Sequence, residues 1–158
     1  MKHKKTNAMR ILEKANIEYE VNRYEVTHKH MDGITVAQTV GVDVKYVYKT
    51  LVLENARHEC FVFIIPVKAS LNLKQAANCV HQKKLMLLPV ERLKQVTGYI
   101  RGGCSPIGMK KHFLTYIDES ALTFESIYVS GGERGVQIKI NVNDLINIVE
   151  ADVVDIIE

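Results

Sequence analysis

The chain has 158 residues, of which 47% are hydrophobic and 25% charged, with a formal net charge of +3. That length suits one domain with a real core, and that hydrophobic fraction excludes a disordered chain. No run of about 18 apolar residues marks a membrane span, and no apolar signal core follows the basic MKHKKTNAMR start, so the expected location is the cytoplasm.

The elements follow in chain order. TNAMRILEKAN (6–16) puts Met9, Leu12 and Ala15 on one helical face, with Thr6 as its cap. YEVNRYEV (19–26) alternates like a strand, and GITVAQTVGV (33–42) reads as a short helix ended by Gly41. KTLVLE (49–54) and CFVFIIPV (60–67) are apolar, β-branched runs, and the five residues NARHE between them suit a hairpin. Asn72 caps a helix over LKQAANCV, KKLMLL reads as a strand, and Pro89 opens a helix that Gly98 ends. HFLTYID, SIYVS and VQIKI are three more strands; NVNDLINIVE is a helix capped by Asn141, and ADVVDII closes as a short strand. No linker, repeat or low-complexity segment interrupts this order. The expectation is an α+β fold: a single domain over residues 1–158, built around a mixed, largely antiparallel sheet.

Charge is unevenly placed. Residues 68–112 carry a balance of +8, against −7 for residues 113–158. A basic middle segment attracts polyanions, with solvated lysines on helix faces as the plainer alternative.

Motifs with chemistry are few. No GxGxxG or Walker loop is present. His28 and His30 form an HxH with Asp32 nearby, but no fourth metal ligand is evident, so no metal is expected. Cys60, Cys79 and Cys104 show no CxxC pairing and read as free thiols of a reducing compartment. Cys104 sits in GYIRGGCSPIGMKKH (98–112), a glycine-rich loop without an obvious histidine base, and a small buried thiol is the plainer reading. The loop's glycines permit close approach of a ligand or positive φ, and successive N–H groups there can hold an anion or oxyanion; a tight sheet corner is the alternative. YVSGGERG (128–135) raises the same two readings at the end of another strand. Lys49, where a polar segment enters a strand, either snorkels or points into a pocket.

Taken together, VYKTL (47–51), TGYIRGGCSPIGMKK (97–111) and IYVSGGERG (127–135) resemble the YbaK/EbsC family of free-standing Cys-tRNA(Pro) deacylases. That family is related to the editing domain inserted in bacterial prolyl-tRNA synthetases. The similarity runs over nearly the whole chain and implies the family's compact mixed α/β editing fold. It implies that Lys49 is the essential lysine, followed by Thr50, and that Gly102, Gly103, Cys104, Ser105 and Pro106 form the GxxxP loop that holds the aminoacyl end. Tyr24 and Ser130 match pocket positions. Cys104 stands where relatives carry an apolar residue, so the loop rather than its thiol is the working part. Two departures bear on amino-acid choice: Gln137 replaces an aspartate of cysteine-specific relatives, and Met31 falls near an aromatic pocket position.

The implied activity is trans-editing of mischarged Cys-tRNA(Pro), extending to Cys-tRNA(Cys), without a cofactor. The substrate's own thiol would attack its ester carbonyl and release a thiolactone. The alternatives are a deacylase for another mischarged tRNA such as Ala-tRNA(Pro), and a non-catalytic module that binds tRNA or a synthetase. The expected partner is mischarged tRNA(Pro), with prolyl-tRNA synthetase as a docking platform and neither membrane nor DNA. Arg101, Lys110 and Lys111, beside the glycine loop, are the candidate RNA contacts.

Overall fold

The computed structural model describes residues 4–27 and 31–158. Helix α1 (Asn7–Lys14) begins where Thr6 accepts a hydrogen bond from the Met9 amide, and its buried face is Ala8, Met9 and Leu12. Strand β1 (Tyr19–Arg23) follows, then α2 (Gly33–Val40), capped by Asp32 and ended by Gly41. A 3-10 turn, Val44–Tyr46, which the sequence reading did not anticipate, leads into β2 (Tyr48–Glu54). The hairpin to β3 (Cys60–Pro66) forms as expected, with Lys49 opposite Ile65 and Glu54 opposite Cys60.

Helix α3 (Leu73–Cys79) carries its Asn72 cap, and β4 shrinks to Met86–Leu87. Helix α4 (Val90–Thr97) runs from Pro89 to Gly98. The chain then builds β5 (Leu114–Asp118), β6 (Ser126–Ser130), β7 (Val136–Asn141), α5 (Val142–Val149) and β8 (Asp152–Val154).

The strands divide into two sheets rather than one. A mixed five-stranded sheet has the order β4-β2-β3-β5-β8, and an antiparallel three-stranded sheet has the order β1-β7-β6. An isolated parallel bridge between Val47 and Tyr128 stitches the start of β2 to β6. Among the paired strands only β3 with β5 and β5 with β8 run parallel, so the assembly of described residues is mixed and largely antiparallel.

Strand β3 explains its own sequence. Phe61, Phe63 and Ile65 pack with Ala76, Ala77 and Val80 of the α3 region. Val62 joins Val52, Tyr99 and Phe113 on the other side, and Ile64 enters a core with α1, α5 and the small sheet. A strand covered on both faces needs a continuous apolar run, which CFVFII supplies. The core around Ile64 also holds Ile117, Ile127, Ile138 and Leu145. It presses the small sheet against the large one and leaves a cleft where β2, β6 and β7 begin or end.

Candidate active site

That cleft is a pocket of about 370 Å³, a size that takes a small ligand or the end of a larger one. Four parts of the chain meet there. The start of β2 brings Lys49 and Thr50; the loop after α4 brings Arg101, Gly102 and Cys104; the small sheet brings Ser130, Gln137 and nearby Tyr24; the start of α2 brings Met31 and Asp32. Residues more than a hundred positions apart thus line one pocket.

Lys49 is half-buried, and loss of water around it pushes its ammonium below the ordinary 10.5, an effect that the charge of Asp32 opposes. Asp32 meanwhile caps α2, accepting from the Thr35 amide at 2.8 Å. His28 and His30, the other members of the HxH pattern, lie outside the described residues. Thr50 follows Lys49, and its buried hydroxyl oxygen has no hydrogen-bond partner among the described residues. Such an orphan inside a pocket is a group awaiting a ligand or water. On the opposite wall Gln137 is buried, and its Oε1 accepts from Asn22 Nδ2 at 3.0 Å. Ser130 Oγ accepts from the Gly132 amide at 3.4 Å, leaving its own proton to donate.

The loop 98–112 is braced from several directions. Tyr99 donates its hydroxyl proton to the Ile107 carbonyl at 2.6 Å, and Asn7 Nδ2 donates to the Gly108 carbonyl at 2.9 Å. The Ile107 amide donates to Ser105 Oγ at 3.2 Å, and Lys110 N–H to the Thr97 carbonyl at 2.9 Å. Gly102 has φ +87°, the left-handed region where a side chain is strained, and it lies on the pocket wall. Gly103 has another reason to be glycine. A Cβ there would stand 2.9 Å from the backbone nitrogen of Arg134 and from the carbonyl carbon of Glu133. The two glycine-rich loops therefore pack backbone to backbone, and each positions the other.

Several residues expected at the ligand stand behind it instead. Gly103 is absent from the pocket wall, and its N–H is already donated to the Ile100 carbonyl at 2.9 Å, so it is no free oxyanion donor. Ser105 is fully buried and absent from the pocket wall, its hydroxyl oxygen accepting from the Ile107 amide within the loop. Pro106 lines a separate cavity of about 180 Å³ on the far side of the loop, together with Lys111. Lys110 lays its stem over Gly98, and Lys111 sits 5.3 Å from the centre of the Phe113 ring. Neither lysine reaches the pocket wall; Arg101 does.

Cys104 touches the pocket yet is buried among Val52, Val62 and Tyr99. Burial pushes its thiol up to about 11, against a small opposing contribution from Thr97. A nucleophilic cysteine needs the opposite shift.

Sequence reasoning missed Arg134 and Asn22. Arg134 belongs to the second glycine cluster, and its side chain passes within 3.5 Å of where a Gly102 Cβ would sit. The GGERG motif pointed to that loop but not to its arginine. Asn22 carries no motif signal; only the pairing of β1 with β7 sets it opposite Gln137.

Matches to known proteins say which family builds this fold, with its lysine and two interlocked glycine loops around one cleft. Residues 28–148 match the model of the aminoacyl-tRNA editing domain, and the chain belongs to that family. A protein of Enterococcus faecalis assigned as a Cys-tRNA(Pro)/Cys-tRNA(Cys) deacylase, EbsC, is 40% identical over 136 residues, which is 86% of this chain and 83% of that protein. Two solved structures share the fold. One, assigned as a trans-editing enzyme for prolyl-tRNA synthetase, superposes with a TM-score of 0.84 at 23% identity, covering 96% of this chain and 95% of that one. The other, a hypothetical protein, gives 0.87 at 18% identity over 96% and 99% of the two chains.

Proposed function

We propose that this chain is a single-domain aminoacyl-tRNA deacylase that clears cysteine from mischarged tRNA(Pro), and from tRNA(Cys), in the cytoplasm. The observation that carries the reading is the pocket itself. A partly desolvated lysine and a threonine hydroxyl with no partner among the described residues face a buried carboxamide across a cleft sized for an aminoacyl end. The likeness to EbsC supplies the substrate class.

The chemistry follows from what the pocket holds. Among the described residues no carboxylate or imidazole acts on the Cys104 thiol, and burial holds it protonated. The nucleophile then comes from the substrate. The cysteinyl sulfur attacks its own carbonyl carbon, an S–C bond forms and the ester C–O bond breaks. The thiol proton passes to the departing ribose oxygen, and a thiolactone leaves. The protein's part is to hold the ester in an attacking geometry and to stabilise negative charge developing on the carbonyl oxygen. Lys49 is the charged group placed to do that, with Tyr24, Thr50, Ser130, Gln137 and Met31 enclosing the aminoacyl group. Gly102 lets the loop backbone approach, while Gly103, Ser105 and Pro106 hold the loop. Arg101 on the pocket wall, with Lys110 and Lys111 further along the same loop, receives the RNA backbone. Prolyl-tRNA synthetase is the proposed docking partner, supplying tRNA discrimination that so small a body lacks.

The test is deacylation of Cys-tRNA(Pro), Cys-tRNA(Cys), Ala-tRNA(Pro), Ser-tRNA(Pro) and Pro-tRNA(Pro) side by side. Fast loss of cysteine with slow loss of serine supports the reading. Turnover of Ala-tRNA(Pro) with Cys-tRNA(Pro) left intact moves the protein to a different editing specificity, and no turnover of any substrate leaves a binding module.

A further inference from the structure

The small sheet carries a row of three polar side chains. Antiparallel register sets Asn22 of β1 opposite Gln137 of β7, and Gln137 opposite Ser130 of β6. Directly opposed residues share a sheet face. The adjacent row, Val21, Ile138 and Val129, includes two residues of the core, Ile138 and Val129. Gln137 and Ser130 line the pocket, whereas Asn22 does not.

A carboxamide has two unlike edges, an oxygen that only accepts and an –NH2 that only donates, and they exchange places by a half-turn with almost no change in volume. Whichever edge is bound elsewhere decides which one the pocket sees. Gln137 is 3% exposed, its Oε1 takes the Asn22 Nδ2 proton at 3.0 Å, and no described group accepts from its Nε2. We propose that Asn22 is a positioning residue that holds the Gln137 carboxamide with its –NH2 edge turned into the pocket, making that wall a hydrogen-bond donor to the aminoacyl group. The inference rests on the deacylase reading for its substrate.

The orientation has a chemical consequence. A donor fits the ester carbonyl oxygen, which gains negative charge as the carbon is attacked, and its bond strengthens toward the transition state. The reversed amide would offer an acceptor, which suits the α-ammonium group of the ground state and repels the developing oxyanion. Asn22 therefore acts on the rate of ester cleavage more than on binding, although it touches no substrate atom.

Asn22→Asp is the decisive variant, because it keeps the shape and leaves only acceptors. Gln137 must then turn its –NH2 edge toward the sheet and present Oε1 to the pocket. Cleavage of Cys-tRNA(Pro) should slow by roughly 100- to 1000-fold in kcat, the usual effect of losing one oxyanion donor, with KM from steady-state kinetics changed by less than about threefold. In a Gln137→Leu background the same substitution should add no further loss, since no amide remains to be turned. An equal loss in both backgrounds would assign the effect to the new charge or to the fold and overturn the proposal, as would full activity of the single variant.

A second measurement needs no tRNA. The side-chain 15N–1H resonances of Gln137 should shift in Asn22→Asp, as one amide proton becomes bonded to a carboxylate. Unmoved resonances would overturn the orientation. Failure of the unaltered protein to cleave any Cys-tRNA would instead sink the deacylase reading while leaving the amide orientation to this spectrum.

Discussion

Strand β2 carries one charged residue near its start and ends on another, and the two ends behave in opposite ways. At its start Lys49 faces a pocket; no described residue bonds its ammonium, and burial pushes its pKa down. At its end Glu54 is just as much a charge at a strand terminus, but it is 4% exposed and clasped, by His58 Nδ1 at 2.9 Å and Arg92 Nη1 at 2.7 Å. Those two bonds hold its carboxyl below the ordinary 4.5. Asn55 stiffens the adjoining turn by accepting from the Arg57 and Glu59 amides and donating to Glu59 and Gln82. One end thus keeps a charge in a state that costs stability, and the other spends a charge on holding a hairpin. Strain of the first kind marks groups kept for a ligand, and satisfaction of the second kind marks architecture.

The contrast can be broken or sharpened by substitution. The largest effect belongs to Lys49→Ala, which should lower deacylation of Cys-tRNA(Pro) by about a thousandfold, the scale of removing a charge that stabilises an oxyanion. Its thermal midpoint should not fall. A lysine whose folded pKa lies below its unfolded value binds fewer protons when folded, so at neutral pH its charge opposes folding and stability rises as pH climbs between the two values. An Lys49→Met variant that unfolds well below the parent would contradict this assignment.

Gly103→Val comes next. Its side chain would have to enter the backbone of the facing loop, 2.9 Å away, where nothing flexible can yield. A cost of about 3 kcal/mol in denaturant titration is expected from such overpacking, with deacylation lost as both loops move. A Gly103→Val protein of normal stability and normal rate would show that the two loops do not depend on each other.

Glu54→Ala should cost about 2 kcal/mol and leave the rate per folded molecule unchanged. The estimate sits below that for a fully buried pair because the His58 and Arg92 side chains remain 70% and 35% exposed and are screened by solvent. The pH dependence has a definite sign. The folded pKa is below the unfolded one, so the stabilisation is present above about pH 4.5 and disappears as pH falls through the folded value. Urea midpoints measured from pH 6 down to pH 3 should converge for the parent and Glu54→Ala. Curves that stay parallel would remove Glu54 from the account.

The smallest effect is expected at Cys104. Cys104→Ser should keep its rate within about threefold, because the thiol is not the nucleophile and its pKa of about 11 leaves almost no thiolate at neutral pH. Iodoacetamide should label half-buried Cys60 and Cys79 well before Cys104. A loss of several orders of magnitude in folded Cys104→Ser would restore the thiol as nucleophile.

Much of this was legible in the chain. Thr6, Asn72 and Asn141 accept the capping bonds their positions announced, because a helix start is a local event settled by side chains three residues apart. The five-residue hairpin and the apolar run of β3 were equally plain. Strand ends were read less well: KKLMLL keeps only Met86–Leu87 as strand, and YEVNRYEV stops at Arg23, because pairing depends on a neighbour that local pattern does not contain. Of the residues singled out in the sequence, Tyr24, Met31, Lys49, Thr50, Arg101, Gly102, Cys104, Ser130 and Gln137 line one pocket.

What the sequence by itself determined is the set of elements, the family resemblance and the residues whose types suit a ligand. Tertiary structure alone decided the division into two sheets and the use to which each singled-out residue is put. Gly103 became a contact between loops, Ser105 a brace and Cys104 a buried thiol, while Asn22, silent in the sequence, came to rest against Gln137. The physical reason is distance along the chain. Caps, turns and periodicity act within a few residues, whereas burial, pKa and the facing of one side chain by another depend on strands that meet only after the chain has closed more than a hundred residues of loop.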